Sequence, residues 1–317
     1  MQKLAPENFI NAREFIFANG DDIYRAWFRY HFEDDNADKF MDVLAQYQHE
    51  NGGFGGLSDE FEYTGPCLKC TEIAIEFIFG LNKKPSPTHP VIQKMMTYIL
   101  GEYVPEIGNW GSVVVPETND YPHCSFSRYR GNDITPIPDE NERIKNYSPN
   151  EKVPFAALVA YYSEIVPLEL HDEIIKYPTQ HILRHWDKEH SVYDFEYLLW
   201  LVPCLKDRFL ADKLTAILIQ NPTAYWELDY TKSDSDYVHL PCDSGVTTPD
   251  SILYPMVKDI VDESLTYRMG QQCESGKWPM GWSYGDSEEM QRLELKADVR
   301  RTANMLVKLK RFNRIEK

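Results

Sequence analysis

The sequence contains no apolar stretch long enough to cross a membrane. Its longest nearly apolar run, residues 197–205, is well short of the roughly 20 residues that a membrane-spanning helix needs, and Pro203 interrupts it. The first 15 residues lack the apolar core of a signal peptide. We therefore expect no transmembrane segment, and the cytoplasm is the natural compartment for such a chain.

Positive charge and cysteine are also scarce. Lys and Arg number 33 against 50 Asp and Glu, which gives a formal net charge of −17. Nucleic acids and anionic membrane surfaces both require a basic face, so neither is an expected partner. Six cysteines in 317 residues do not make a disulfide framework. Cys67-x-x-Cys70 has no second CxxC motif, and its place in an apolar helix indicates two core thiols.

Alternating strand patterns are almost absent, and the chain reads instead as a series of helices. The predicted helices cover residues 8–18, 21–30, 36–48, 66–80, 89–103, 154–162, 170–186, 193–205, 207–220, 251–272 and 288–310. Helices with one apolar face, such as 36–48, alternate with helices that are apolar nearly all round, such as 66–80 and 154–162. A helix that is apolar on every side is buried on every side. The alternation predicts two layers of paired helices, arranged as concentric rings or as an open solenoid.

A short turn unit recurs along the chain at periods of roughly 50 residues, which is the range of repeat architectures. The unit consists of a glutamine at a helix end, a glycine turn and an aromatic residue. It occurs at 48–56 (QHENGGFGG), 103–112 (YVPEIGNWGS), 220–230 (QNPTAYWELDY) and 271–282 (QQCESGKWPMGW). The glutamine amide can tie one helix end to the next turn, the glycines take positive φ cheaply, and the aromatic fills the space between helix pairs. On this interpretation Gln48, Phe54, Trp110 and Gln271 serve packing.

The turn unit resembles the QW-type repeat of squalene/hopene cyclases and the related repeat of protein prenyltransferase β subunits. Those families fold as an α/α toroid. The resemblance implies an all-α closed barrel, in which the predicted helices make five to six pairs. The chain then forms a single domain over 1–317, with irregular segments at about 104–152 and 221–250. The resemblance also implies a small-molecule ligand in a central cavity. The layout is most similar to uncharacterised bacterial proteins described only as prenyltransferase-like, through YQHENGGFGG and residues 120–123, 228–230 and 277–282.

The catalytic motifs of those families are matched only in part. The terpene cyclases use an Asp-x-Asp-Asp acid, and the nearest segment here is Asp234-Ser235-Asp236-Tyr237, with Tyr in the last position. The prenyltransferases bind Zn²⁺ through an Asp-x-Cys pair, which this sequence lacks. His239 with Cys242, and His123 with Cys124, have the residue types of metal ligands without the paired spacing. Motif spacing therefore supports neither zinc nor magnesium, and no cofactor or metal ligand is predicted.

Candidate site residues lie in the irregular segments and turn units, because function concentrates in loops at the ends of buried helices. The predicted catalytic residues are Glu60, His123, Asp234 and Asp236. The predicted ligand-binding residues are Asp59, Trp110, Tyr121, Trp278, Trp282 and Tyr284. Acids beside aromatic rings suit carbocation chemistry, because ring faces stabilise cations, and they equally suit a sugar site with paired carboxylates. A solvated acidic loop is the alternative interpretation of 234–236.

Three hypotheses of function follow. The first, which the resemblance places ahead, is a prenyltransferase-like or terpenoid-cyclase-like protein that binds or transforms an apolar, isoprenoid-type ligand. It predicts a cavity lined mainly by aromatic residues with one acid at the base. The second is a carbohydrate-active hydrolase or lyase, which predicts a polar cavity with two carboxylates within about 10 Å of each other. The third is a non-catalytic binding or scaffold protein whose centre is filled by side chains.

Overall fold

A computed structural model describes residues 2–132, 134–150, 152–186, 191–234 and 236–316 of the chain. The fold class is all-α, as predicted. The helices are α1 (Pro6–Asn19), α2 (Asp22–Arg29), α3 (Ala37–Ala45), α4 (Leu68–Gly80), α5 (Pro90–Gly101), α6 (Glu140–Lys145), α7 (Val153–Tyr161), α8 (Leu168–His185), α9 (Val192–Cys204), α10 (Arg208–Leu218), α11 (Tyr254–Gly270) and α12 (Glu288–Arg311). Two short antiparallel strands, β1 (Tyr103–Val104) and β2 (Asn109–Trp110), form a hairpin. All the predicted helices are present, whereas the sequence analysis does not predict the short α6.

Several helices begin where a polar side chain accepts a hydrogen bond from an amide of the first turn. Asn36 caps α3 at 3.1 Å, Asp207 caps α10 at 3.0 Å, and Ser191 forms a reciprocal capping box at the start of α9. These caps satisfy amide groups that a helix cannot pair internally, so they determine where each helix starts. Pro178 lies inside α8, which continues past it to His185.

The helices predicted to be buried on every side do lie in the interior. Every residue of α7 from Val153 to Ala160 is buried, and α7 packs against α4, α8 and α9. The helix α4 is buried along most of its length, but it also carries charged residues into the interior. Lys69 is only 8% exposed and Glu72 only 1% exposed. Because buried charges need partners, this polar stripe on α4 points to a polar interior next to it.

The first turn unit is organised by Gln48 and Gly52. The side-chain amide of Gln48 donates to the carbonyl of Gly52 in the turn, as predicted, and also to that of Val91 in α5, both at 3.0 Å. Gly52 has a φ of +93°, and a Cβ there would lie 2.0 Å from the carbonyl oxygen of Lys94. Only glycine fits this position. Phe54 follows in the core with 0% exposure, which confirms its predicted packing role.

The last turn unit repeats this geometry around Gln272, one residue beyond the predicted Gln271. The amide of Gln272 donates to the carbonyl of Gly276 and to that of Asn8 in α1, both at 2.8 Å. Gly276 has a φ of +86°, and a Cβ there would lie 2.2 Å from the carbonyl oxygen of Asn11. Because Asn8 belongs to the first helix, this unit joins the two ends of the chain.

The N-terminal and C-terminal segments also contact each other directly. The helix α12 packs against α1 and α2. The amide of Leu4 donates to the carbonyl of Arg314 at 2.7 Å, and the amide of Glu316 donates back to Leu4 at 3.0 Å. Among the described helices, none combines the length and the apolar composition required to cross a bilayer.

Candidate functional site

A cavity of about 470 Å³ lies between α2, α4, α9, α11 and α12, and we call it the main cavity. Its described lining includes six carboxylates (Asp59, Glu60, Glu76, Glu196, Asp236 and Asp243) and six cations (Lys69, Arg268, Arg300, Arg301, Lys308 and Arg311). Ten aromatic residues also line it: Tyr24, Trp27, Phe77, Tyr193, Tyr197, Trp200, Tyr237, Trp278, Trp282 and Tyr284. The volume suits a small-molecule ligand, and the lining is charged as well as aromatic.

The last helix, α12, supplies the basic side of the main cavity. Its residues in the lining include Ala297, Arg300, Arg301, Asn304, Lys308 and Arg311. Apart from the adjacent pair Arg300 and Arg301, successive members are three or four residues apart, so the set lies on one side of the helix. Apolar residues of α12, such as Val299 and Leu306, are buried in the core. The helix thus turns a cationic face toward the cavity, inside a protein whose net charge is −17.

One wall of the main cavity is a network centred on Lys69. The Nζ atom of Lys69 lies 3.5 Å from Glu60 and 3.4 Å from Glu72. The hydroxyl of Tyr197 donates to Glu72 at 2.5 Å, and the hydroxyl of Ser127 donates to Glu60. Burial and the charge of Glu72 raise the pKa of Tyr197. Glu60, a predicted catalytic residue, is therefore held at the cavity wall by two partners.

A second network connects α12 to α4 and to the loop before it. The guanidinium of Arg300 donates to Asp59 at 3.0 Å and to Glu76 at 2.6 Å. Burial acts to lower the pKa of Arg300, but the charges of Glu76 and Asp59 outweigh it and raise that pKa well above its ordinary value. Asp59, a predicted ligand-binding residue, is buried in this network. The arginine orients both carboxylates at the cavity wall.

A third cluster of charges lies where α11 and α12 approach Asp243. Arg268 donates to Asp243 from Nε at 2.9 Å and from Nη2 at 2.6 Å. Lys308 lies 4.0 Å from the same carboxylate. Arg301 lines the cavity beside them, yet no residue in the described part of the chain forms a hydrogen bond or ion pair with it. Burial lowers the pKa of Arg301.

Glu196 on α9 has the electrostatics of a general acid. Burial and the nearby charge of Glu76 raise its pKa from 4.5 to about 7, against the opposing effects of Lys308 and of hydrogen bonds from Gly245 and Ser244. A carboxyl group with a pKa near neutrality can both donate and accept a proton at physiological pH. Glu196 is therefore the strongest candidate for proton transfer in the main cavity.

Aromatic rings surround His239 on the adjoining side of the cavity. The ring of Tyr237 lies 5.1 Å from His239 and 4.5 Å from Trp282, and the ring of Tyr193 lies 5.0 Å from His239. The Nδ1 atom of His239 lies 3.0 Å from the hydroxyl of Ser244. Its Nε2 atom is buried and has no hydrogen-bond partner among the described residues. Burial lowers the pKa of His239, which favours the neutral imidazole.

The structure brings six of the predicted site residues to the main cavity. They are Asp59, Glu60, Asp236, Trp278, Trp282 and Tyr284. The predicted catalytic residue His123 lies instead in an open groove outside it, together with Arg128 and Arg130, and Tyr284 borders both spaces. The Nδ1 atom of His123 lies 2.7 Å from the carbonyl of Tyr121. His123 is thus placed next to the main cavity and not in it.

Three predicted site residues line neither space. Trp110 is 1% exposed and donates its indole N–H to the carbonyl of Ile99 at 2.8 Å, which matches the packing role that the turn unit predicts. Tyr121 is 45% exposed on the surface. Asp234 is exposed and accepts a hydrogen bond from the hydroxyl of Tyr267 at 2.7 Å. The predicted roles of these residues in binding or catalysis gain no support from their positions.

Several residues of the main cavity were not predicted, although the sequence carried a signal for some of them. The signal is a charged side chain inside a helix that is otherwise apolar. Lys69 and Glu76 line the cavity from α4, with Glu72 three and four residues away from them, and Glu196 follows Asp194 by two residues in the otherwise apolar α9. Such residues are costly to bury, so their presence in a core helix indicates a polar interior.

Among the described residues, no group of three or more His, Cys, Asp or Glu side chains is placed so that it could hold a metal ion. Cys67 and Cys70 are free and buried at the start of α4, in agreement with the prediction of core thiols.

No known family model matches the sequence, and comparison with curated proteins gives no match. The functional proposal therefore rests on the geometry of the main cavity.

Proposed function

We propose that the protein is a carbohydrate-active enzyme whose substrate binds in the main cavity. The observation that carries this proposal is the lining, in which six carboxylates and six cations lie beside ten aromatic residues. Charged side chains hydrogen-bond the hydroxyl groups of a sugar, and aromatic rings provide flat apolar surfaces for its ring. This is the second hypothesis from the sequence, and the charged lining favours it over the first.

Glu196 and Glu76 are the proposed catalytic pair. They extend from α9 and α4 into the same cavity, and the charge of Glu76 acts on Glu196. In glycoside hydrolysis, one carboxylic acid protonates the departing oxygen while a second carboxylate activates water or attacks the sugar carbon. Glu196 has the pKa of the proton donor. Glu76, oriented by Arg300 at 2.6 Å, is the second carboxylate.

Binding of an isoprenoid is the second candidate function, and the aromatic residues favour it. Trp27, Trp200 and Trp278 all line the main cavity. An apolar ligand, however, would exclude water from the ionised side chains around it, and burying an unpaired charge is costly. For Arg301, which has no partner among the described residues, no ion pair would offset the free energy of losing its water. A polar substrate avoids the cost because it replaces the lost water with its own hydrogen bonds.

We further propose that the helices close into an α/α toroid around the main cavity. Three contacts support this arrangement. The helix α7 lies between α4 and α9, α12 packs against α1 and α2, and Gln272 bonds to Asn8. In a closed ring of helix pairs the last unit must contact the first, whereas in an open solenoid each unit contacts only its sequence neighbours. The same contacts are in keeping with the resemblance to cyclases and prenyltransferase β subunits.

The proposed activity is tested by incubating the protein with a panel of neutral and acidic oligosaccharides. Hydrolysis is measured as new reducing ends, and lyase activity as ultraviolet absorbance of unsaturated products. We expect turnover of at least one substrate, and we expect Glu196→Gln and Glu76→Gln to abolish it while each retains a wild-type circular dichroism spectrum. Glu274→Gln, which changes an exposed acid, is the matched control and should be fully active.

Each other result selects a different hypothesis. Turnover that persists in both variants would exclude the proposed catalytic pair. Stabilisation by isoprenyl compounds and not by sugars, measured as a thermal shift, would favour the second candidate. A protein that binds none of these compounds would favour the scaffold hypothesis.

A further inference from the structure

Arg301 differs from the other arginines of the main cavity. Arg268 and Arg300 pair with carboxylates, and Arg311 donates to a backbone carbonyl at 2.9 Å. In the described part of the chain, nothing forms a hydrogen bond or ion pair with the guanidinium of Arg301. A guanidinium has five N–H donors and no acceptor, so each unpaired donor needs an oxygen from outside the protein.

The acids whose charges act on Arg301 are already engaged elsewhere. They are Asp243, which Arg268 holds at 2.6 Å, and Asp298, which Lys277 holds at 2.6 Å. Neither forms an ion pair with Arg301. Burial lowers the pKa of Arg301, which shows that its charge is held at a cost. An unpartnered cation that lines a cavity is best explained by a ligand that completes it.

His239 presents a second unsatisfied polar atom in the same part of the cavity. Its Nδ1 atom contacts the hydroxyl of Ser244, and its buried Nε2 atom has no partner among the described residues. Arg301 and His239 both line the main cavity, and the charge of Arg301 acts on the imidazole. The Ser244 hydroxyl has a single proton, which it donates to Glu196 when that carboxylate is ionised. When Glu196 is protonated, Ser244 can donate to Nδ1 instead, and Nε2 then carries the proton and is a hydrogen-bond donor. Arg301 and His239 then offer N–H groups to one ligand.

We infer that the substrate carries a carboxylate and is therefore an acidic sugar of the uronate type. Arg301 binds this carboxylate, together with His239 and next to Lys308. The inference rests on the proposed function, because it specifies the class of sugar. The planar fork of a guanidinium matches the two oxygens of a carboxylate, and such charge-assisted hydrogen bonds are the strongest in proteins.

The local charge balance favours a carboxylate over a diphosphate group. Arg268, Arg301 and Lys308 contribute three positive charges, and Asp243 offsets one of them. Ionisation of Glu196, whose pKa lies at about 7, offsets one more. The excess is thus one or two positive charges, and a single carboxylate offsets one of them without leaving a net negative charge. A phosphate monoester carries a charge of roughly −1.5 to −2 at neutral pH, and a diphosphate carries more negative charge than that. A diphosphate would therefore give this part of the cavity a net negative charge.

The test measures binding of glucuronate, galacturonate, glucose and galactose by isothermal titration calorimetry at pH 7. We expect the wild-type protein to bind one uronate at least about tenfold more tightly than the matching neutral sugar, as charge-assisted hydrogen bonds predict. Arg301→Gln should remove that preference, because it weakens uronate binding far more than neutral-sugar binding. Arg301→Lys, which keeps the charge without the fork, should retain part of it. Arg184→Gln, on the exposed face of α8, is the matched control.

The outcomes separate this inference from the proposed function. If neutral sugars bind as tightly as uronates and Arg301→Gln changes neither, the inference fails and the proposed function stands. If neither kind of sugar binds, both fail. If inorganic diphosphate binds more tightly than the uronates and Arg301→Gln abolishes that binding, the part of the cavity around Arg301 is a diphosphate site and the inference is overturned.

Discussion

Gln272 in the last turn unit donates its side-chain amide to the backbone carbonyl of Asn8 in the first helix, at a distance of 2.8 Å and a separation of 264 residues. The same amide also donates to Gly276 within its own turn. Gln48 makes an equivalent pair of bonds, one to Gly52 within its own turn and one to Val91 in α5. One repeated side chain thus links neighbouring units along the chain, and at the end of the chain it links the last unit to the first.

Removing this link should destabilise the protein. Gln272→Ala leaves two backbone carbonyls without their donor, so we expect the free energy of unfolding to fall by about 1–3 kcal/mol. The measurement is urea denaturation followed by circular dichroism. Gln48→Ala should have a similar effect. Gln93→Ala, which removes an exposed amide in α5, should change little. An unchanged midpoint for Gln272→Ala would contradict a closing role for this residue.

The turn glycines should tolerate no side chain. A Cβ at Gly52 or Gly276 would lie 2.0 or 2.2 Å from a backbone carbonyl oxygen, and both residues have positive φ. We expect Gly52→Ala and Gly276→Ala each to lower the free energy of unfolding by about 3 kcal/mol or more. Gly101→Ala is the control, because nothing lies within 4 Å of a Cβ at the end of α5. The measurement is the thermal unfolding midpoint of each of the three variants compared with that of wild type.

Glu196 should make stability depend on pH. Its pKa is about 7 in the folded protein against an ordinary value of 4.5, so the folded state binds a proton that the unfolded state has released. Stability therefore decreases as the pH rises from about 4.5 to about 7, by up to about 3 kcal/mol from this group. Glu196→Gln should match wild type at pH 4 and exceed it at pH 8. Denaturant midpoints at both pH values provide the measurement, and a constant difference would contradict the pKa shift.

Arg300 and Arg301 are adjacent in sequence, yet their substitutions should have opposite effects on stability. Arg300→Gln leaves the carboxylates of Asp59 and Glu76 without their cation, and because these ion pairs are partly buried we expect a loss of about 1–3 kcal/mol. Arg301→Gln removes a charge that has no described partner, so the ligand-free protein should be as stable or slightly more stable. Thermal unfolding of both variants tests this contrast. A large loss of stability in Arg301→Gln would show that Arg301 is structural.

The helices could be predicted from the sequence because their signals are local. The apolar periodicity of α3 and the continuous apolar run of α7 each depend on a few neighbouring residues. The turn units could be predicted for the same reason, since Gly52 and Phe54 lie in one short segment. The role of Gln272 could not be assigned in place of Gln271, because only the position of α1 decides which amide reaches Asn8.

The candidate site could be predicted only where its residues belong to the turn units and loops, as for Glu60 and Trp282. Its acid and its unpaired cation were missed, because Glu196 and Arg301 lie on helices that the periodicity assigns to the core or to the surface. The sequence by itself determined the all-α class, the approximate positions of most helices and the places of the glycine turns, which short-range sterics and burial control. Only the tertiary structure decided that the polar faces of α4, α9 and α12 meet in one cavity, because the electrostatics of a charged side chain depend on neighbours that are far away in the chain.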